Sequence, residues 1–315
     1  MENLLEIQNL IKVFSSRRNR TTAVDQVSLS LPDASPITVA VVGESGSGKS
    51  TLANLILGFT KPTSGRIIYK GKDITHLRGK EKENYRREIQ AVFQNPFDAY
   101  NPFYVIDHTF EQVFGHFQFD LTKDERRRLV EKNLEQVRLD PGQILGKYAY
   151  QMSGGQLQRI MIARALLLKP RLLIADEPVS MIDASLRVTV LDVMSRLKRQ
   201  QKIAQLYITH DLSTALQISD QIIVMYKGCI VESGNAQEVI MSPAHPYTQL
   251  LISCIPVAST EEKWNEHLHI MESRSDSAQG CCFYDRCPKA AENCRFHKPE
   301  QTALSEEHYV SCFLI

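Results

Sequence analysis

The sequence predicts an α/β fold: a buried parallel sheet alternating with helices, followed by a small cysteine-rich extension. Three observations predict it. Ile37 to Val42, Leu172 to Ala175 and Ala204 to Ile208 are nearly continuous apolar runs, the pattern of strands covered on both faces. The first runs into Gly43, and the others end in Asp176-Glu177 and Thr209-His210; open α/β sheets collect ligand chemistry at such carboxyl ends. Of the seven cysteines, Cys281, Cys282, Cys287, Cys294 and Cys312 crowd the end of the chain.

Composition bounds the rest. The chain has 315 residues, 43% apolar and 23% charged. That gives room for one large domain plus an appendage and excludes a disordered chain or a disulfide-held miniature. Lys and Arg number 37 against 36 Asp and Glu, a formal charge of +1, so nucleic acid held by bulk charge is not an expected partner. No apolar run approaches the roughly 18 residues of a membrane span. Met-Glu-Asn-Leu-Leu-Glu lacks the flank and core of a signal peptide. The expected compartment is the cytosol, where a cysteine cluster points to a metal before disulfides.

In chain order, Leu5 to Phe14 and Val27 to Leu31 read as strands, and Gly65 to Tyr69 as another after a Pro-Thr-Ser-Gly turn. Thr51 to Leu57 can be a helix. Asp124 to Val137 carries Leu129, Val130, Leu134 and Val137 on one side. Gln156 to Leu168 is apolar on one face, and Ala184 to Gln200 places Leu186, Val190, Val193 and Leu197 at helical spacing. Pro243, Pro246 and Pro256 mark a change of character after about Gly234. Soft boundaries fall near 235 and at about 260 to 280.

Gly43-Glu44-Ser45-Gly46-Ser47-Gly48-Lys49-Ser50 matches G-x-x-x-x-G-K-[ST] between an apolar strand and a helix. Glycines let backbone N–H groups wrap around phosphates, and a helix start adds its positive end. Lys49 is expected to reach the β- and γ-phosphates and Ser50 to ligate Mg²⁺. Asp176, ending its strand, suits the Mg²⁺ shell, and Glu177 can orient or deprotonate the attacking water. Ser153-Gly154-Gly155-Gln156 opens a further helix, with Ser153 as its cap. A capped helix without a ligand is the alternative there.

The phosphate loop, Gln94, Ser153 to Gln156, Asp176-Glu177, Asp183 and His210, in this order, resemble the nucleotide-binding domain of ATP-binding cassette (ABC) ATPases over about residues 3 to 234. The resemblance implies a P-loop NTPase fold with a RecA-like parallel core, an antiparallel β subdomain and a helical subdomain at about 95 to 170. It implies ATP and Mg²⁺ as cofactors and a nucleotide site from Gly43 through Thr51. Gln94 would contact Mg²⁺ and the water. Ser153 to Gln156 would close over a γ-phosphate held by a second ATPase subunit, a paralogue or an identical copy. Asp183 would bridge the two subunits, His210 would contact the γ-phosphate, and Phe14 would stack on adenine, with a core position as its alternative. Ser180-Met181-Ile182-Asp183 departs from the usual Ser-Ala-Leu-Asp but keeps the acid, and Pro32 to Pro36 replaces the common Gly-Glu turn.

Gln94 to Pro102 and His245-Pro246-Tyr247-Thr248 resemble segments of the dipeptide/oligopeptide importer branch, as does Gly280-Cys281-Cys282-Phe283-Tyr284-Asp285-Arg286-Cys287-Pro288. That branch implies two membrane-spanning permease subunits, an extracytoplasmic binding protein and a place on the cytoplasmic face of the membrane. Related members take nickel complexes or oligosaccharides, and a soluble ABC ATPase acting on nucleic acid or the ribosome is the rival from another class. The domains expected are a cassette over 1–234 and an extension over 235–315, with its cysteine-rich tail at about 280–315. Cys281, Cys287, Cys294 and Cys312 are spaced C-x5-C-x6-C-x17-C, which suits a tetrahedral zinc site or an iron–sulfur cluster. The resemblance implies a 4Fe-4S cluster, while free thiols or a disulfide stay open. Cys282 is expected to stand apart from the ligands, and Cys229 to be a core residue.

Overall fold

A computed structural model describes residues 3–16, 20–255 and 279–315. Pro256 and nearly all of the expected boundary at about 260 to 280 lie outside them. The chain opens with β1 (Asn3–Ser15), β2 (Arg20–Pro32), β3 (Thr38–Val42), α1 (Lys49–Ile56), β4 (Ser64–Tyr69) and β5 (Lys72–Asp73). The middle holds α2 (Gly79–Glu88), β6 (Ile89–Val92), α3 (Asp107–His116), α4 (Lys123–Gln136), α5 (Pro141–Ile144), α6 (Gly154–Leu166), β7 (Leu172–Asp176), α7 (Ala184–Gln201) and β8 (Ala204–Thr209). Then come α8 (Leu212–Ile218), β9 (Gln221–Tyr226), β10 (Cys229–Asn235), α9 (Ala236–Met241), α10 (Pro246–Ser253), α11 (Glu292–Phe296), β11 (Thr302–Ser305) and β12 (His308–Val310).

The chain divides into two compact units: Met1–Leu31, Val39–Thr75 and Thr209–Ile315 form the first, Pro32–Thr38 and His76–Ile208 the second. In the first, a four-stranded sheet runs β2-β1-β4-β5. β1 pairs antiparallel with β4, Leu5 opposite Tyr69, with a bulge between Gln8 and Ile11. Here Asn9 takes a φ of 45°, and any side chain at Gly65 would meet the Asn9 carbonyl. A second run of strands in the same unit is ordered β11-β12-β10-β9-β3. β3 is parallel to β9, Val39 opposite Gln221, and β10 and β12 add antiparallel. All five residues of β3 are buried.

In the second unit β8, β7 and β6 lie side by side and parallel, Leu172 opposite Ile89 and Ala204. Every residue of β8 is buried, as its nearly continuous apolar run requires, and the one interruption, Gln205, donates to the Met194 carbonyl at 2.7 Å. α3 and α4 pack on α6 around Phe110, Phe114, Leu134, Leu157 and Met161, each at most 1% exposed. α4 starts where Thr122 and Glu125 exchange backbone–side-chain bonds, a capping box. Val130, Leu134 and Val137 of the expected stripe are buried, and Leu129 lies half out. β6 and β9 were not anticipated. Four residues is too short for β6 to declare a period, and β9 is an apolar run bordered by ordinary polar residues.

Candidate functional site

In the first unit the phosphate loop leaves β3 and enters α1 with left-handed φ at three glycines: 152° at Gly43, 81° at Gly46 and 102° at Gly48. A Cβ on Gly43 would stand 2.1 Å from the Met225 carbonyl, and one on Gly48 would stand 2.1 Å from that of Ala23. The glycines are therefore demanded by backbone packing as well as by conformation. Lys49 is buried and turns its ammonium onto the Gly43 carbonyl at 2.7 Å, the Glu44 carbonyl at 2.8 Å and Ser47 Oγ at 3.2 Å. Ser50 is exposed and Thr51 half-buried in the first turn of α1. A glycine-lined turn, one buried cation and a hydroxyl at a helix start fit a nucleotide triphosphate with its Mg²⁺. His210, beyond β8, is exposed. Phe14 is 47% exposed on β1, with Lys12 Nζ 4.9 Å from its ring centre, so the core alternative for it fails.

In the second unit Gln94 and Glu177 meet, Gln94 Nε2 donating to Glu177 Oε2 at 2.7 Å. Glu177 follows Asp176 at the end of β7 and holds a φ of 47°. Its N–H donates to the Ile208 carbonyl at 2.8 Å and its own carbonyl accepts from Ser180 Oγ at 3.0 Å. A non-glycine residue kept in the left-handed region at a strand end is the sort of strain that gathers at functional sites. Asp176 is half-buried, and Asp183 is exposed as the first residue before α7.

Ser153 and Gln156 cap α6 reciprocally: Gln156 Oε1 accepts the Ser153 N–H at 2.9 Å and Ser153 Oγ accepts the Gln156 N–H at 3.3 Å. A Cβ on Gly155 would come within 3.2 Å of Leu186, and one on Gly154 within 3.4 Å of the Met181 carbonyl. The two glycines thus admit the loop before α7 against the start of α6.

The extension belongs to the first unit. β12 pairs with β10, and His308 bonds the buried Glu232 at 2.7 Å. Glu232 also accepts the N–H groups of Ala244 and His245 at 2.8 and 2.9 Å. Phe283 is 1% exposed, edge-on to Tyr226 with centroids 5.1 Å apart. Cys282 interacts with both Cys229 and Cys281, and Cys229 is half-buried on a cavity wall rather than a core residue as expected. The Cys281 thiol is drawn down to about 5, first by Cys282, then by His245 and the Phe283 N–H, against the opposing effect of burial. His245 Nδ1 accepts the Tyr247 N–H at 3.0 Å, which leaves the other ring nitrogen for Cys281.

Cys281, Cys287, Cys294 and Cys312 share one electrostatic neighbourhood. Yet among the described residues no group of three or more His, Cys, Asp or Glu side chains is arranged to hold a metal ion. Sequence reasoning also missed Glu232, His308, Arg286 and the hydroxyl of Tyr247, whose partners are distant in the chain.

Residues 24–180 match the ABC transporter family and residues 231–294 match the C-terminal region of oligopeptide/dipeptide transporters. The chain is 38% identical to the oligopeptide transport ATP-binding protein AppF of Bacillus subtilis, covering 99% of this chain and 98% of that one. It is 37% identical to OppF of Salmonella typhimurium, covering 93% and 88%. The chain belongs to the ABC transporter family, in its oligopeptide/dipeptide branch. Among solved structures, the ABC cassette MJ0796, a dimer bound to ADP and Pi, matches with a TM-score of 0.66 at 25% identity over 74% of this chain and 98% of that one. CbiO1 of Clostridium perfringens matches with a TM-score of 0.67 at 26% identity over 77% and 92%. This ABC ATPase hydrolyses ATP. Among its described residues no helix is long and apolar enough to cross a membrane.

Proposed function

We propose that this chain is the ATP-hydrolysing subunit of an importer for oligopeptides or dipeptides, attached to the cytoplasmic face of the membrane through two permease subunits. It pairs with a second ATPase subunit and is served by an extracytoplasmic binding protein. The observation that carries this reading is the match to oligopeptide transport ATP-binding proteins over nearly the whole chain, extension included. We take 1–234 as the cassette and 235–315 as its extension.

In this reading Lys49 and the loop N–H groups hold the phosphates, and Phe14 stacks on adenine. Ser50, Gln94 and Asp176 would hold Mg²⁺, which would supply charge neutralisation at the phosphates. Glu177 orients the attacking water and accepts its proton; Gln94, 2.7 Å from that carboxylate, sets its direction. His210 contacts the γ-phosphate. Ser153 to Gln156 offers its capped helix start to the γ-phosphate of the partner subunit, and Asp183 bridges the two. Replacing Glu177 with Gln is expected to lower ATP turnover by about a hundredfold or more while Mg-ATP binding persists. Unchanged turnover in E177Q removes Glu177 from this role.

The finer reading of the tail is an iron–sulfur cluster on Cys281, Cys287, Cys294 and Cys312. Its support is the family resemblance, together with the shared electrostatic neighbourhood of the four thiols. Anaerobic absorption with iron and sulfide analysis checks it; zinc without iron, or no metal, discards it.

A further inference from the structure

Glu44 falls at the first unspecified position of the G-x-x-x-x-G-K-[ST] pattern, and its carboxylate is a problem for the site. A negative charge beside a nucleotide's phosphates opposes their binding. The extension answers it. Arg286 Nη1 and Nη2 donate to Glu44 Oε2 and Oε1 at 2.8 and 3.0 Å, a two-pronged guanidinium–carboxylate pair that fixes orientation as well as charge. The Glu44 N–H donates to the fully buried Tyr247 hydroxyl at 2.9 Å. Glu44 is thus held by side chains 203 and 242 residues away, and its carbonyl accepts Lys49 Nζ. Arg286 is itself braced: its guanidinium lies 5.7 Å from the Tyr226 ring centre and 5.9 Å from that of Phe283. Its neighbour Asp285 takes Lys227 Nζ at 3.2 Å. A cavity of about 320 Å³, lined by Glu44, Ser45, Gly46 and Ser47 together with Lys227 and Arg286, opens between loop and extension.

We propose that the C-terminal extension is a positioning element of the ATP site: Arg286 neutralises Glu44 and, with Tyr247, holds the phosphate loop in its binding conformation. ATP affinity is therefore set partly by whether the extension is docked. The inference rests on the phosphate loop being the ATP site, and a Lys49→Ala control separates the two ideas. If K49A binds Mg-ATP normally, the site reading fails, whatever Arg286 does.

The test uses the purified full chain, with Mg-ATP affinity and steady-state ATPase measured at 50 and 500 mM salt. Arg286→Gln is expected to weaken Mg-ATP binding about tenfold at low salt and about threefold at high salt, with the loss in KM rather than kcat. The double variant Glu44→Gln/Arg286→Gln removes both charges and is expected to return to within about twofold of the parent. Rescue and salt dependence are what a merely structural contact would not show. An unchanged affinity in R286Q overturns the proposal. So does a loss that the double variant does not recover, because the extension's fold rather than the Glu44 charge would then be at stake.

Discussion

The phosphate loop and the cysteine-rich tail sit in one compact unit but are held by opposite means. The loop is fixed by what its backbone cannot avoid: left-handed glycines and carbonyls of Met225 and Ala23 too close for any Cβ. The tail is fixed by side chains reaching across the chain: Phe283 against Tyr226, Arg286 on Glu44, and His308 on Glu232. A backbone constraint tolerates almost no substitution, whereas side-chain anchors divide the load among several contacts. Mutations in the loop should therefore act all-or-none and mutations in the tail by degrees.

The largest expected effect is at Gly48. Alanine there places a Cβ 2.1 Å from the Ala23 carbonyl at a φ of 102°. Holding an unsuitable residue in such a conformation costs on the order of 1 to 3 kcal/mol before the clash is counted. We expect Gly48→Ala to weaken Mg-ATP binding by about a hundredfold or more, read by nucleotide titration. Near-normal affinity would mean that the loop yields more readily than its packing says.

Phe283→Ala tests the other side of the contrast. The side chain is 1% exposed between Tyr226 and Tyr247. Truncating a buried phenylalanine costs about 3 to 5 kcal/mol, visible as a lower midpoint in urea unfolding. The contrast sharpens if ATP affinity in this variant falls by far less than in G48A. It breaks if the two fall alike, since the loop would then depend on the tail as strongly as on its own glycines.

This difference in construction also explains what could be read from the sequence. Gly43 to Ser50 declares its chemistry in eight consecutive residues because backbone geometry dictates residue type locally. β3, β7 and β8 were legible for the same reason: burial on both faces leaves a nearly continuous apolar run. Asp176 and Glu177 were legible from their place at a strand end. The hydrogen bond between Gln94 and Glu177 spans 83 residues and that between Arg286 and Glu44 spans 242. No periodicity or spacing connects such pairs, so the sequence shows the residues without their partnership. The tail cysteines lie between these cases. Their spacing suggested a metal, but it did not reveal that Cys282 interacts with both Cys229 and Cys281.

The smallest effect expected is at Lys227, whose Nζ lies 3.2 Å from Asp285 with 54% of its side chain exposed. An ion pair this open to solvent gains little over hydration and is screened by salt, so Lys227→Ala should change stability by less than about 1 kcal/mol. Urea midpoints at low and high salt measure it. Because Asp285 adjoins Arg286, the same variant asks whether the tail's anchors act independently. If they do, R286Q and K227A add within about 0.5 kcal/mol. A much larger combined loss would mean that the 3-10 turn at Tyr284–Arg286 releases as one piece, and the tail would then share the loop's all-or-none character.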